Sequence, residues 1–187
     1  MILKKENDTK NQMNKIDMKS GTNHTHTYFY GRHHPFSQWY KCSFVEKTEG
    51  GDIIEYTNME TYMMLKKALL FGDSYHYKKI MDSGDPKTVK ALGRKVKKFK
   101  ESVWIENRER IVYKGNLLKF SQNPVLLEKL RNTKYAVLIE ASPYDKIWGA
   151  GESEYELRYK LKNNPEYEMK GRNLLGKILM EVRNTLK

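Results

Sequence analysis

The feature that most constrains the fold is one short apolar run, residues 135–140, which reads Tyr-Ala-Val-Leu-Ile-Glu. A run of this length, bounded by turn-forming residues, is typical of a buried strand. Most other apolar residues of the chain recur with the spacing of helices, and the remaining strand-like segments are short. The pattern predicts an α+β fold, a compact single domain that is mostly helical with a few short strands.

Helical spacing of apolar residues recurs along the chain. Thr57 and Glu60 are spaced as a capping box at the start of the first helix. Asp85 and Pro86 are typical of an N-cap and a first helical position, and helical character continues from there to residue 112. Helices are predicted over residues 58–71, 85–112, 123–130 and 173–186.

The remaining segments read as short strands, irregular chain and a tail. Short strands are predicted at residues 28–30 and 53–56, and residues 152–168 are interpreted as polar and irregular. Residues 1–27 carry almost no bulky apolar side chains, so they cannot bury enough surface to offset the entropy of ordering. We therefore expect a disordered basic and polar tail over residues 1–27 and one domain over residues 28–187.

Composition limits the classes of molecule that this protein can be expected to bind. The 35 Lys and Arg against 23 Asp and Glu leave a formal net charge of +12, which concentrates anions around the protein. Nucleic acid, nucleotides and sugar phosphates all fit that charge. Cys42 is the single cysteine, so an internal disulfide or a multi-cysteine zinc site is excluded. Because no signal-peptide or membrane-span pattern is present, we expect a soluble cytoplasmic protein with no membrane or obligatory protein partner.

The first candidate site lies on the predicted helix 58–71. Glu60 and Lys67 fall on one face, two turns and roughly 10 Å apart, among Met and Phe side chains. Desolvation lowers the pKa of a lysine and frees its amine as a nucleophile toward a carbonyl carbon. The same spacing also fits a Glu60 that only closes a capping box and a Lys67 that extends its stem to water.

The loop after the apolar run is a second candidate site. Glu140 ends the run, and Ser142, Asp145, Trp148 and Gly149 follow within nine residues. Small polar groups at a strand end, beside glycines that let a ligand approach the backbone, suit a phosphate or a sugar. An ordinary turn is equally compatible, with the indole in the core and the aspartate ordering the backbone.

Other motifs are less specific. The lysines of the predicted helix 85–112 either follow phosphates or form a solvated face, and Arg94 lies next to the apolar stripe, where it could enter a pocket. No histidine spacing matches a metal site, and no phosphate-binding glycine loop is present. We therefore predict no metal and no cofactor.

Six motifs then follow one another in an order that resembles the NADAR (YbiA-like) family. The loop Glu-Ala-Ser-Pro-Tyr-Asp-Lys-Ile-Trp-Gly, residues 140–149, is the most specific of them. Thr61 and Met64 stand where family members usually carry His and Gln. The resemblance covers about residues 28–187, and its other motifs lie at residues 35–40, 58–73, 93–108, 119–124 and 171–183.

The resemblance implies an N-glycosidase that cleaves the C–N bond between a ribose phosphate, or ADP-ribose, and an amine-bearing base. Two substrate classes are implied, riboflavin-pathway (phosphoribosylamino)pyrimidine intermediates and ADP-ribosylated guanine in nucleotides or nucleic acid. The implied catalytic residues are Glu60, Lys67 and Asp145. Candidate substrate contacts are Arg32, Ser37, Gln38, Trp39, Arg94, Glu140, Ser142, Trp148, Gly149 and Asn173.

Two mechanisms fit these residues. In one, the ribose opens to an imine and neutral Lys67 exchanges with the departing amine, while Glu60 moves protons and Asp145 orients the sugar or activates water. In the other, water displaces the base through an oxocarbenium-like state, with Glu60 and Asp145 as the acid–base pair and Lys67 on the phosphate. The alternative function is a non-catalytic module that binds ADP-ribose or nucleic acid.

Overall fold

The computed structural model describes residues 25–187, in which helices enclose two small sheets of two strands each. The strands are β1 (His26–Phe29), β2 (Phe44–Lys47), β3 (Ile53–Tyr56) and β4 (Val137–Glu140). The helices are α1 (Met59–Leu70), α2 (Ser74–Met81), α3 (Pro86–Gly93), α4 (Glu101–Ser121), α5 (Pro124–Arg131), α6 (Glu154–Asn163) and α7 (Leu174–Thr185). The predicted α+β class, mostly helical, is confirmed.

Each sheet joins a different pair of strands. β1 pairs with β4 in parallel, with Phe29 opposite Glu140, and β2 pairs with β3 as an antiparallel hairpin. The predicted buried strand is confirmed, although it begins at Val137. The first strand begins at His26, before its predicted start at residue 28, so the predicted tail overlaps it. Residues 1–24, most of that tail, lie outside the described residues.

Helix α1 is the centre of the fold. It packs against α2, α3, α4 and β3, and its buried side chains include Met59, Tyr62, Leu65 and Ala68. Asn58, not Thr57, caps the helix, because the Asn58 side chain accepts the Thr61 N–H at 2.8 Å. The predicted capping box at Thr57 is therefore wrong, and Glu60 is free for other contacts.

The predicted continuous helix over residues 85–112 is wrong. Helix α3 ends at Gly93 and α4 begins at Glu101. Between them Lys98 adopts a positive φ of 55°, and the Lys97 N–H donates to Asp73. Apolar residues line both sides of the break at helical spacing, so the periodicity did not reveal that the chain turns there.

Two helices were not predicted. Asp73 caps α2, where no helix was expected. Helix α6 lies within residues 152–168, which were interpreted as irregular, and it carries a complete capping box between Ser153 and Glu156. That interpretation is corrected, because a good cap and exposed helix-forming residues sustain a helix without a broad apolar face.

The last helix packs closely on the β1–β4 sheet. Helix α7 lies against β4, and a Cβ added at Gly176 would lie 2.1 Å from the Leu138 carbonyl oxygen. Glycine at this position allows the helix to approach the strand. Across residues 25–187 no helix combines the length and apolarity that crossing a membrane requires.

Candidate active site

Glu60 lies on the first turn of α1 and is buried, with 3% of its surface exposed. Trp39 Nε1 donates to Glu60 Oε2 at 3.1 Å. The other oxygen, Oε1, is buried and has no hydrogen-bond partner within the described part of the chain. A carboxyl group with one held oxygen and one unpaired oxygen can accept or release a proton at the unpaired side.

The surroundings of Glu60 raise its pKa to about 7. Burial is the main cause, because it penalises the charged form. Lys90, the hydrogen bond from Trp39 and Arg94 oppose the rise, whereas the charge of Asp145 adds to it. A carboxyl group that titrates near neutrality is suited to general acid–base chemistry.

A buried lysine donates hydrogen bonds to the backbone of the segment that carries Trp39. Lys119, from α4, has no exposed surface, and its Nζ donates to the carbonyl oxygens of Pro35 (2.7 Å) and Ser37 (3.1 Å). Burial lowers the pKa of this amine to about 8. Lys119 opens one of the family motifs, but no pattern in the sequence predicts that it is buried.

Ser37 and Gln38 connect this segment to α1. The Ser37 hydroxyl accepts the Trp39 N–H at 3.1 Å, and the Gln38 carbonyl accepts the Glu60 N–H at 3.0 Å. Gln38 Nε2 lies 3.5 Å from Met63 Sδ, and Gln38 Oε1 is buried without a partner in residues 25–187. Ser37 is thus engaged with the backbone, whereas the side chain of Gln38 retains an unused acceptor.

Glu140, at the end of β4, presents a second carboxyl group to the same region. Its Oε2 is buried and has no hydrogen-bond partner among the residues described. Burial raises its pKa to about 8, and the charges of Asp145 and Glu60 add to that rise, while Lys90 opposes it. Because these charges act on one another, Glu60, Glu140, Asp145 and Lys90 lie near one another in the fold.

Asn173 fixes the strand end that holds Glu140. Its Oδ1 accepts the Glu140 N–H at 3.0 Å, and its Nδ2 donates to the Leu138 carbonyl at 2.8 Å. The residue is 1% exposed and adopts a left-handed backbone, which asparagine tolerates. Both ends of the amide therefore bind protein backbone, and its predicted contact with substrate stays a prediction.

The loop after β4 is ordered around Asp145. One carboxylate oxygen of Asp145, Oδ1, accepts the N–H groups of Ile147 (2.9 Å) and Trp148 (2.8 Å). A Cβ at Gly149 would lie 2.9 Å from the Asp145 carbonyl and 3.0 Å from the Glu140 carbonyl, so a larger residue would displace backbone. Ser142 is buried under this turn, and Trp148 packs partly against the main core. The catalytic role of Asp145 stays a prediction beside this structural one.

Lys67 lies two turns along α1 from Glu60, in a pocket of aromatic rings. Its Nζ donates to the Gly93 carbonyl at 2.9 Å and lies 4.2 Å from the centroid of Phe99 and 5.6 Å from that of Trp104. Burial, and then the charge of Arg94, lower the pKa of the amine. No carboxylate in residues 25–187 forms an ion pair with Lys67. No such ion pair therefore stabilises the protonated form of the amine, which is not nucleophilic.

The contacts of two basic residues, Lys90 and Arg32, differ from those that the sequence predicted. Lys90, interpreted from sequence only as part of a basic face, has its Nζ 5.8 Å from the Trp39 ring centroid. Arg32 instead meets Asp85, the N-cap of α3, at 4.0 Å, and both side chains are about half exposed. The helix α3 and its C-cap Arg94 thus supply the positive charge near the carboxyl groups, and Arg32 stays a predicted contact at the helix start.

The fold is that of a class already known in structure. The NMR structure of the Escherichia coli protein YbiA superposes with a TM-score of 0.67, covering 91% of this chain and 89% of that one at 24% identity. At that identity the likeness shows the fold alone.

Residues 28–187 match the family model described as NADAR domain, and the chain belongs to the NADAR family. N-glycosidase R617 of Acanthamoeba polyphaga mimivirus is 46% identical over 150 residues, which cover 80% of this chain and 86% of that protein. The maize protein named riboflavin biosynthesis protein PYRR, chloroplastic, is 28% identical over 159 residues, 81% of this chain but 23% of its own length. The resemblance predicted from the motifs is confirmed, and the protein is an N-glycosidase, a hydrolase of N-glycosyl bonds.

Proposed function

We propose that the substrate of this N-glycosidase is a ribose phosphate, or ADP-ribose, joined through C1′ to the amine of a nucleobase or pyrimidine. The observation that carries the proposal is the pair Glu60 and Glu140, each with one buried carboxyl oxygen that has no hydrogen-bond partner within residues 25–187, beside the cations Lys90 and Arg94. Carboxyl groups supply and remove the protons that C–N cleavage requires, and cations hold a phosphate.

Each part of such a substrate has a suitable neighbour in the site. The ring of Trp39 is half-buried and offers a face for a base, which aromatic stacking binds by about 1–3 kcal/mol. Arg94 and Lys90 supply positive charge near Glu60, which supports a phosphate contact there. The name of the maize relative supports a riboflavin-pathway intermediate as one substrate class, and the net charge of +12 is compatible with ADP-ribosylated guanine as the other.

We propose the imine route for the reaction. The exocyclic nitrogen forms a double bond to C1′ as the C1′–O4′ bond breaks and O4′ takes a proton. The neutral amine of Lys67 adds to C1′, the original C1′–N bond breaks, and the base leaves as an amine. Water then adds to the lysine imine, and cleavage of the C1′–Nζ bond returns Lys67 and releases the sugar. One water is consumed, and Glu60 shuttles the protons of the ring-opening and addition steps.

An activity assay that offers both substrate classes side by side tests the function. We expect the wild type to release ribose phosphate or ADP-ribose, and Glu60→Ala and Lys67→Ala each to lose about 10²–10⁴-fold in kcat/KM, the range of a lost acid–base or nucleophilic group. Lys177→Ala, an exposed lysine on α7, is the matched control and keeps wild-type activity. Binding of either substrate without turnover would instead support the non-catalytic module.

Borohydride trapping separates the two mechanisms. Reduction during turnover should fix the sugar on Lys67 as a secondary amine, which peptide mass spectrometry locates. Because the direct route forms no imine, a complete absence of adduct during active turnover would contradict the lysine route and favour displacement by water.

A further inference from the structure

We propose that Glu140 is the general acid that protonates the departing amine, a role predicted from the sequence for Glu60 in the imine route and for the pair Glu60 and Asp145 in direct displacement. This inference rests on the proposed function, because it assigns a proton transfer within the cleavage of a ribosylamine. It adds a catalytic residue to the pair Glu60 and Lys67.

The position of Glu140 in β4 directs its side chain toward the main core, on the same face as its register partner Phe29. Successive side chains of a strand point to opposite faces. Ile139 packs in the small core with Ala141, Ala150 and Leu157, whereas Leu138 belongs to the main core that contains α1. Glu140 therefore shares the face of Leu138 and points toward the main core, near enough to Glu60 for the two charges to act on each other.

The backbone of Glu140 is held tightly, while its carboxyl group is left unengaged. Its N–H donates to Asn173 at 3.0 Å, and its carbonyl accepts the Ala150 N–H at 2.8 Å. The carboxyl oxygen Oε2 has no partner in the described chain and no contact with solvent. A buried polar atom without a partner is costly, and its persistence at a rigid strand end points to a ligand group that completes it.

Asp145 is less suited to deliver the proton. Its Oδ1 already accepts two backbone N–H groups, so this oxygen is engaged in ordering the loop. Its negative charge acts instead on its neighbours, where it favours the protonated form of Glu140 and of Glu60. Asp145 thus keeps the acid protonated and orders the loop.

The charged groups that act on Glu140 come from three different parts of the chain. Glu60 from α1 and Asp145 from the loop after β4 favour its protonated form, and Lys90 from α3 favours its ionised form. Burial adds to the effect of the two acids. The result is a carboxylic acid that holds its proton at neutral pH, as a general acid must.

The proton balance closes over one turnover. As the C1′–N bond breaks, its electron pair goes to nitrogen, and the Glu140 O–H proton joins the same nitrogen to release a neutral amine. Glu140 is then a carboxylate. When water adds to the lysine imine, the water oxygen bonds to C1′, and the proton that water loses returns to Glu140.

A leaving-group series tests this assignment. N-aryl ribosylamine 5-phosphates with anilines of decreasing basicity are compared for the wild type, Glu140→Gln and, as matched control, Glu154→Gln on the exposed start of α6. Glutamine keeps the shape of the protonated acid but donates no transferable proton. We expect Glu140→Gln to lose about 10²–10⁴-fold with the most basic anilines, and the loss to shrink as the aniline becomes a better leaving group.

The possible outcomes are distinct. An equal loss across the whole series would mean that Glu140 only binds substrate and would overturn the assignment. If the wild type cleaves no member of the series, the proposed substrate class fails and the assignment with it. Glu140→Asp, which restores a carboxyl group at shorter reach, should recover part of the lost rate and keep the alkaline limb of the pH profile, whereas Glu140→Gln should lose that limb.

Discussion

At the residue level, the hydrogen bond from Trp39 sets the proton affinity of Glu60. The bond from Nε1 to Oε2, at 3.1 Å, stabilises the carboxylate and so holds the pKa below the value that burial alone would give. In Trp39→Phe the donor is lost, and the pKa of Glu60 should rise above about 7. We expect the acidic limb of the profile of kcat/KM against pH to shift to higher pH. The profile is measured with a substrate whose base stays uncharged over the whole pH range.

A second outcome would contradict that prediction. If Trp39→Phe lowers kcat/KM equally at every pH and the limb does not move, Trp39 acts only by stacking on the base. Tyr28→Phe provides a control for loss of an aromatic polar group, since Tyr28 contacts Arg158 rather than either carboxyl group.

Single residues of the site differ in how far sequence could predict them. Glu60 and Lys67 follow from helical spacing on one element, and Glu140 from its place after an apolar run. Lys90 and Lys119 could not be found this way. Lys119 meets Ser37 across 82 residues of sequence, and no local pattern encodes such a contact.

At the element level, α4 supports the segment 35–39 through one amine. The charged form of Lys119 is penalised by burial, so its pKa falls from 10.5 to about 8. Between those pH values the unfolded chain binds a proton that the folded protein does not, and the free energy of unfolding therefore rises with pH. Relative to Lys119→Met, the wild type should gain of order 1–3 kcal/mol across that interval.

Urea unfolding of both proteins at several pH values between about 8 and 10.5 measures this gain. Taking the difference between the two proteins removes the contribution of the tyrosines, which titrate in both. A difference that stays flat with pH would show that Lys119 keeps its ordinary proton affinity in the folded state. The variant should also lose activity, because the carbonyls of Pro35 and Ser37 lose their donor and the segment that aims Trp39 loosens.

The helix boundaries show which structural features the spacing of apolar residues does not predict. The pattern gave the correct position of α1, α5 and α7 to within about two residues, because each has a clear start and one apolar face. It joined α3 to α4, because the turn between them depends on Asp73, which accepts the Lys97 N–H from a different part of the chain. It missed α6, whose capping box was visible at Ser153 and Glu156 but whose core contact is Leu157.

At the scale of the whole molecule, the two carboxyl groups suited to catalysis reduce stability. The folded pKa of Glu60 is about 7 against 4.5 for the ordinary group, so the folded protein holds a proton that the unfolded chain releases between those values. The free energy of unfolding must therefore fall as pH rises through that interval and stay lower above it. Active sites commonly carry such a stability cost.

Replacing Glu60 by glutamine removes this penalty. We expect Glu60→Gln and wild type to unfold at similar temperatures near pH 4.5, and the variant to be more stable by about 1–3 kcal/mol above pH 7, while its activity is lost. Differential scanning calorimetry at both pH values measures the effect. A gain that is the same at both pH values would mean that the introduced glutamine merely packs better, because only a proton bound by the folded state makes the gain depend on pH.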